Sequence, residues 1–187
     1  DERKRLARDL HDSIGQKLIV LYKKINGIES KEASLLCKNA IDELRTISHG
    51  LYPPQMEGIS YTEAIKSLIN EIDRNTKLFF TCDIETIDNL IDREHELHLY
   101  RIIQELLSNI LKHSKAKAVF VSVEKQKKYI NVTIEDNGHG FDVSKTINEK
   151  NNLGMKTLLG RAKNINAKLE FKSVANKGTI VQLIIPF

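Results

Sequence analysis

From Leu6 onward the apolar residues fall at Leu6, Leu10, Ile14, Leu18, Leu21, Ile25 and Ile28, in steps of three and four. That spacing predicts one long amphipathic helix. After the polar break Glu29-Ser30-Lys31-Glu32, a second stripe runs through Ala33, Leu36, Ala40, Leu44, Ile47 and Leu51. Two helices with so short a connection form an antiparallel hairpin. A lone hairpin cannot bury both stripes, so the pattern predicts pairing with a second copy into a four-helix bundle. Pro53-Pro54 stops the second helix, because proline disfavours helical geometry in the residue before it. The expected division is a hairpin over 1–56 and a second domain over 57–187.

Beyond the prolines the pattern turns to mixed α and β. Tyr61 to Ile72 is helical by spacing, Lys77 to Ile84 reads as a strand, and Asp92 to His113 as a long helix. Two strands, Ala118 to Val123 and Tyr129 to Glu135, are joined by a lysine-rich turn. The stretch from Gly138 to Asn152 reads as a loop, long for a compact domain and therefore expected to act as a lid. A helix from Leu153 to Ile165 and strands Lys168 to Ser173 and Thr179 to Ile185 complete an α+β class chain.

Composition narrows the function. The 187 residues are 41% hydrophobic and 29% charged, as in a globular protein. A net charge of +4, with basic residues interleaved among acids, argues against direct nucleic-acid binding. Cys37 and Cys82 lie far apart, which gives neither a disulfide framework nor a zinc site and fits a reducing compartment. His95 and His98 read HELH and miss the HExxH zinc spacing. No apolar run approaches the roughly 18 residues of a membrane span. The chain begins without methionine on a charged stretch already in helical register, so it is expected to be a piece of a longer protein.

Three features carry candidate chemistry. Glu105, Asn109 and Lys112 recur at i, i+4 and i+7 on one polar stripe of the long helix, opposite Ile102, Ile103, Leu106, Leu107 and Ile110. A carboxylate and a carboxamide one turn apart suit Mg²⁺, a hard ion that takes oxygen ligands; a solvated helix face is the plainer reading. In Asp136-Asn137-Gly138-His139-Gly140, Asp136 continues the apolar face of Ile130, Val132 and Ile134. A carboxylate there is costly unless something donates to it, and an adenine amino group is a suitable donor. A β-turn with an Asx bond is the alternative. Lastly, Leu153-Gly154-Met155 opens a helix where free backbone N–H groups can meet phosphate. Thr179 shares parity with Val181, Leu183 and Ile185, so its hydroxyl faces inward.

In order and spacing, ExxxN on a helix, DNGxGF at a strand end, a long loop, LGM and a final GT resemble the Bergerat-type ATPase domain of histidine kinases, gyrase, Hsp90 and MutL. The resemblance covers about Gly58 to Phe187 and implies an α/β sandwich binding ATP and Mg²⁺. In it Asn109 holds the metal, Glu105 supports that site and Asp136 binds adenine. Gly138 and Gly140 hinge the lid, while Leu153, Gly154 and Thr179 complete the pocket. Lys112 and His113 lie toward the phosphates. Asn152 stands where the family often has glycine.

The first helix is more specific. Glu2-Arg3-x-Arg5-Leu6-Ala7-Arg8-Asp9-Leu10-His11-Asp12 is similar to the ERxRIARELHD signature of the histidine-kinase family that includes the nitrate sensors and DesK-like thermosensors. Leu51-Tyr52-Pro53-Pro54 resembles that family's linker. An imidazole titrates near neutrality, so a neutral nucleophilic form of His11 is available, with Asp12 adjacent to take its proton. The resemblance implies a homodimeric sensor-kinase core that phosphorylates His11 from ATP. It would pass phosphate to a response regulator with a helix-turn-helix output domain, and Gln16 would serve a regulator phosphatase activity. It further implies the cytoplasmic portion of a bacterial sensor, with a missing upstream region embedded in the inner membrane. A non-catalytic ATP-binding switch and a protein serine kinase of the same fold are the rival readings.

Overall fold

The chain divides into two compact units, Asp1–Gly58 and Ile59–Phe187, in a computed structural model. Residues 6, 10–25, 33, 35–41, 44, 53, 56–148 and 153–187 are described, without the side chains of 11–13, 24–25, 147–148 and 153.

In the first unit a π-helical turn, Leu10–Gly15, runs into α1, Gln16–Ile25. The continuous α-helix that the leucine spacing predicts is therefore widened by i→i+5 bonding where His11 lies. A Cβ at Gly15 would sit 3.3 Å from Leu44 Cδ2, so glycine lets the second helix come close. That helix, α2, is described over 35–41. Gly15, Cys37 and Ile41 are buried, and Cys37 Sγ donates to the Leu18 carbonyl at 3.4 Å. The inner seam thus follows Cys37, Ile41 and Leu44, rotated from the expected Leu36, Ala40, Leu44 stripe. Leu36 is 63% exposed and Leu21 48%. Both sets obey helical spacing, and only the close approach at Gly15 distinguishes them.

The second unit begins with α3, Tyr61–Asn75, where Ser60 Oγ caps the Glu63 N–H at 3.3 Å. Its buried face carries Ala64, Ile65, Leu68 and Ile69. Helix α4, Arg93–Asn109, is capped by Asp92, which accepts from the His95 N–H at 2.9 Å. Glu94 and Glu96 in its first turn complement the helix dipole. Its apolar face, Leu99, Ile102, Ile103, Leu106 and Leu107, is buried. A π-helical turn, Ile110–Ser114, extends it, and Lys115 at φ 53° ends it.

The strands are β1 (Phe79–Ile84), β2 (Ala118–Lys125), β3 (Tyr129–Asp136), β4 (Lys168–Ser173) and β5 (Thr179–Pro186). They form one sheet in the order β1-β2-β3-β5-β4, with β1 parallel to β2 and the other pairs antiparallel. β3 and β5 alternate buried and less buried positions, so one face of the sheet carries the core. The helices pack against it as the second layer of an α/β sandwich.

Two short helices flank the site. α5, Val143–Asn148, occupies part of the stretch expected to be loop. Asp142 starts it, its carboxylate accepting from the Lys145 N–H and its carbonyl from the Thr146 N–H, both at 3.0 Å. Six residues show too little periodicity to announce a helix, which is why the sequence pattern passed over it. α6 is Leu153–Asn164. Among the described residues no helix is long and apolar enough to cross a membrane.

Candidate functional site

Strand register builds the floor of the site. β3 and β5 pair Asp136 with Thr179 and Ile134 with Val181; β5 and β4 pair Thr179 with Ser173 and Val181 with Phe171. Two adjacent rungs result, a polar one (Asp136, Thr179, Ser173) and an apolar one (Ile134, Val181, Phe171). They lie beneath a cavity of about 350 Å³, closed on the helical side by Leu106, Asn109, Ile110 and Met155.

Asp136 is only 4% exposed. One of its oxygens accepts the Gly138 N–H at 2.8 Å, and Thr179 stands opposite it in the β3–β5 register. Burial pushes its carboxyl above the ordinary 3.8, while the Gly138 N–H, the His139 charge and the Thr179 hydroxyl pull the other way. The Asx bond of the turn reading is therefore present, and the carboxylate lines the cavity all the same. Asn137 has a structural part: its Oδ1 accepts from the Lys117 and Ala118 N–H groups at 2.8 and 2.9 Å, pinning the start of β2.

Gly138 and Gly140 are required by close approach. A Cβ at Gly138 would overlap the Ser114 carbonyl oxygen, which also accepts from the His139 N–H at 2.9 Å. Gly140 has φ +62°, and a Cβ there would overlap the Val174 carbonyl. The turn after β3 is thereby locked between the end of the long helix and the β4–β5 turn.

Of the residues singled out from sequence, Asn109, His113, Asp136, Gly140, Gly154 and Thr179 line this one cavity. Gly138 stands behind it, bonded to Asp136. Glu105 is half-buried one turn before Asn109 and is not among the lining residues, and Lys112 is exposed. Leu153 opens α6, its side chain outside the described residues, as is all of Asn152. The backbone of His11 and Asp12 lies in the π-helical turn, but their side chains are outside the described residues. Gln16 is the exposed first residue of α1. Among the described residues no group of three or more His, Cys, Asp or Glu is placed to hold a metal, while Asn109 brings a carboxamide to the cavity lining.

Sequence reasoning misses Ser173 and Phe171, and it includes Phe141 only as the last position of DNGxGF, with no role. The Phe141 N–H donates to Ser173 Oγ at 2.8 Å, and its ring meets Phe171 edge to face at 6.4 Å. The signal was the i, i+2 parity of Phe171 and Ser173, which places both on one face of β4.

Two family models match the chain: "Histidine kinase" over residues 2–56, and "Histidine kinase-, DNA gyrase B-, and HSP90-like ATPase" over residues 94–187. Sensor protein VraS of Staphylococcus saprophyticus is 30% identical over 197 residues, covering all of this chain and 56% of the relative. Sensor histidine kinase LiaS of Bacillus subtilis is 30% identical over 199 residues, again covering all of this chain and 54% of the relative. The chain thus spans about half the length of these curated relatives. The histidine kinase domain of the Erythrobacter litoralis EL346 blue-light activated kinase matches with a TM-score of 0.61 at 20% identity, over 99% of this chain and 92% of that one. Acinetobacter baumannii histidine kinase AdeS matches with a TM-score of 0.59 at 13% identity, over 94% and 97%. These structural likenesses show the same fold. With its phosphoacceptor-type hairpin and its ATPase-type sandwich in one sequence, the chain belongs to the histidine kinase family.

Proposed function

We propose that the chain is the transmitter core of a sensor histidine kinase, in which ATP bound in the second unit phosphorylates His11 of the first. The observation that carries this is Asp136, a buried carboxylate at the polar end of a mostly apolar cavity. A purine base suits such walls, and its exocyclic amino group supplies a further donor to the carboxylate.

Asn109 lines the same cavity one turn after Glu105, and a carboxamide and a carboxylate oxygen are the donors Mg²⁺ takes. The residues present fit the ion, with phosphates and waters completing its shell. When bound, it supplies charge neutralisation on the transferring phosphoryl group. Gly154, in the first turn of α6, leaves backbone N–H groups for the phosphates, and Lys112 and His113 add donors beside Asn109. The neutral imidazole of His11 then attacks the γ-phosphorus in line. A P–N bond forms as the bond to the β-phosphate oxygen breaks, ADP leaves with that electron pair, and Asp12 takes the ring proton.

The division into a hairpin over 1–56 and a catalytic domain over 57–187 belongs to the same reading. The exposed leucines Leu21, Leu35 and Leu36 favour a second copy of the hairpin as the cover that completes a four-helix bundle. The phosphohistidine passes its phosphoryl group to an aspartate on a response regulator with a helix-turn-helix output domain, and Gln16 serves the reverse reaction, regulator dephosphorylation. The same reading makes the chain the cytoplasmic core of a bacterial inner-membrane sensor. Incubation with radiolabelled ATP should give a phosphoprotein whose label is lost in acid and kept in alkali. Acid-stable label would point to a serine kinase, and no label to a non-catalytic ATP-binding switch.

A further inference from the structure

The connection between β4 and β5, from Ser173 to Thr179, grips the loop that walls the cavity after β3. Gly178, at φ +82°, packs so closely that a Cβ there would overlap the Asp136 carbonyl. The Asn176 N–H donates to the His139 carbonyl at 2.7 Å. A Cβ at Gly140 would overlap the Val174 carbonyl and stand 2.9 Å from Ser173 Oγ. The Phe141 N–H, last in the loop, donates to Ser173 Oγ at 2.8 Å.

Ser173 is the junction of this grip. A hydroxyl has one proton to give and two lone pairs to receive with. Ser173 Oγ donates to the Gly178 carbonyl at 3.1 Å, accepts the Phe141 N–H and lies 2.9 Å from Thr179 Oγ1. It therefore closes the β4–β5 turn on itself and fastens the loop to that turn at once. Phe171, two residues earlier on β4, steadies the Phe141 ring edge to face at 6.4 Å. His139, Gly140 and Phe141 line the cavity and Ser173 does not, so Ser173 acts on a ligand only through them.

We propose that Ser173 is a positioning residue for the nucleotide, holding the cavity wall at residues 139–141 in its binding geometry before any ligand arrives. The outer strand β4 thus contributes to the site from behind the wall. The loop needs such support because its close approaches demand glycine at 138 and 140, and glycine leaves a backbone free to take other conformations. A wall placed in advance loses no conformational entropy on binding, so the benefit falls on affinity and not on the chemical step.

The effect on ATP rests on the reading of this cavity as the nucleotide site, and the experiment separates the two. Amide exchange at Phe141 is followed by NMR on the full chain, without nucleotide and with saturating ADP. In the wild type the amide should be equally protected in both states. Protection that appears only with ADP would show a wall built by the ligand and overturns the proposal. Ser173→Ala should speed that exchange by about tenfold, the scale of one hydrogen bond, and raise the KM for ATP several-fold with kcat little changed. Ser173→Thr keeps the hydroxyl and should restore both. A wild-type KM in Ser173→Ala, or no recovery in Ser173→Thr, also overturns the positioning role. If the wild type itself binds no ADP, the nucleotide reading has failed and the positioning role falls with it. Should Ser173→Ala not fold, the comparison of the two wild-type states decides alone.

Discussion

Asp136 shows how one side chain links the strand pattern to ligand chemistry. Its parity with Ile130, Val132 and Ile134 is legible in the sequence, and the structure buries all four on one face. Burial outweighs the Gly138 N–H and the His139 charge and raises its carboxyl above the ordinary value, so the ionised form has room for a further donor. Asp136→Asn should weaken ATP binding tenfold or more, about 1.4 kcal/mol or above, by calorimetry. The pH dependence follows from the direction of the shift. Protonation removes the acceptor, so the wild-type advantage over Asp136→Asn is full above the raised value. It is lost as pH falls through that value, at a higher pH than an ordinary carboxyl would set. A gap between the two proteins that stays constant down to pH 4 would contradict the assignment. Ser173, by contrast, was not legible, because its role depends on pairing with Thr179 across β4 and β5. Parity is local information, and register between strands is not.

At the scale of elements, the sequence named every strand and both long helices of the second unit to within a few residues, because their apolar periods are strong. It misjudged what lacks a period. The pattern shows α5 as loop and the π-helical turns at Leu10–Gly15 and Ile110–Ser114 as continuous α-helix. One extra residue in a turn leaves the apolar spacing almost unchanged, so the pattern cannot reveal it. The first of these turns ends directly before Gln16, which is exposed at the start of α1. An amide there, one turn from Asp12, can donate and accept to hold a water for in-line attack on a regulator phosphoaspartate. Autophosphorylation needs no such water. Gln16→Ala should keep transfer from ATP to His11 within a few-fold and cut regulator dephosphorylation by about tenfold. Alanine favours the helix, so stability should not suffer. Equal dephosphorylation rates for variant and wild type would leave Gln16 as a surface residue.

For the whole molecule, the proposed function needs two copies and two chemistries. The hairpin seam closes on Cys37 and Ile41, which leaves Leu21 and Leu36 exposed. The full chain should be a dimer by light scattering, Leu36→Glu should shift it toward monomer, and residues 59–187 alone should be monomeric yet bind ATP. A monomeric full chain would remove the bundle from the account. Composition and hydropathy gave the two-part organisation, and motif order gave the ATP site. The phosphoacceptor rests on the His11-Asp12 signature and the family match over residues 2–56. His11 is therefore the point to test most directly, by measuring radiolabelled phosphate incorporation from ATP into His11→Gln beside the wild type, with ATP affinity recorded for both. His11→Gln should bind ATP as the wild type does and take up no label. Label persisting on that variant would contradict the assignment of His11.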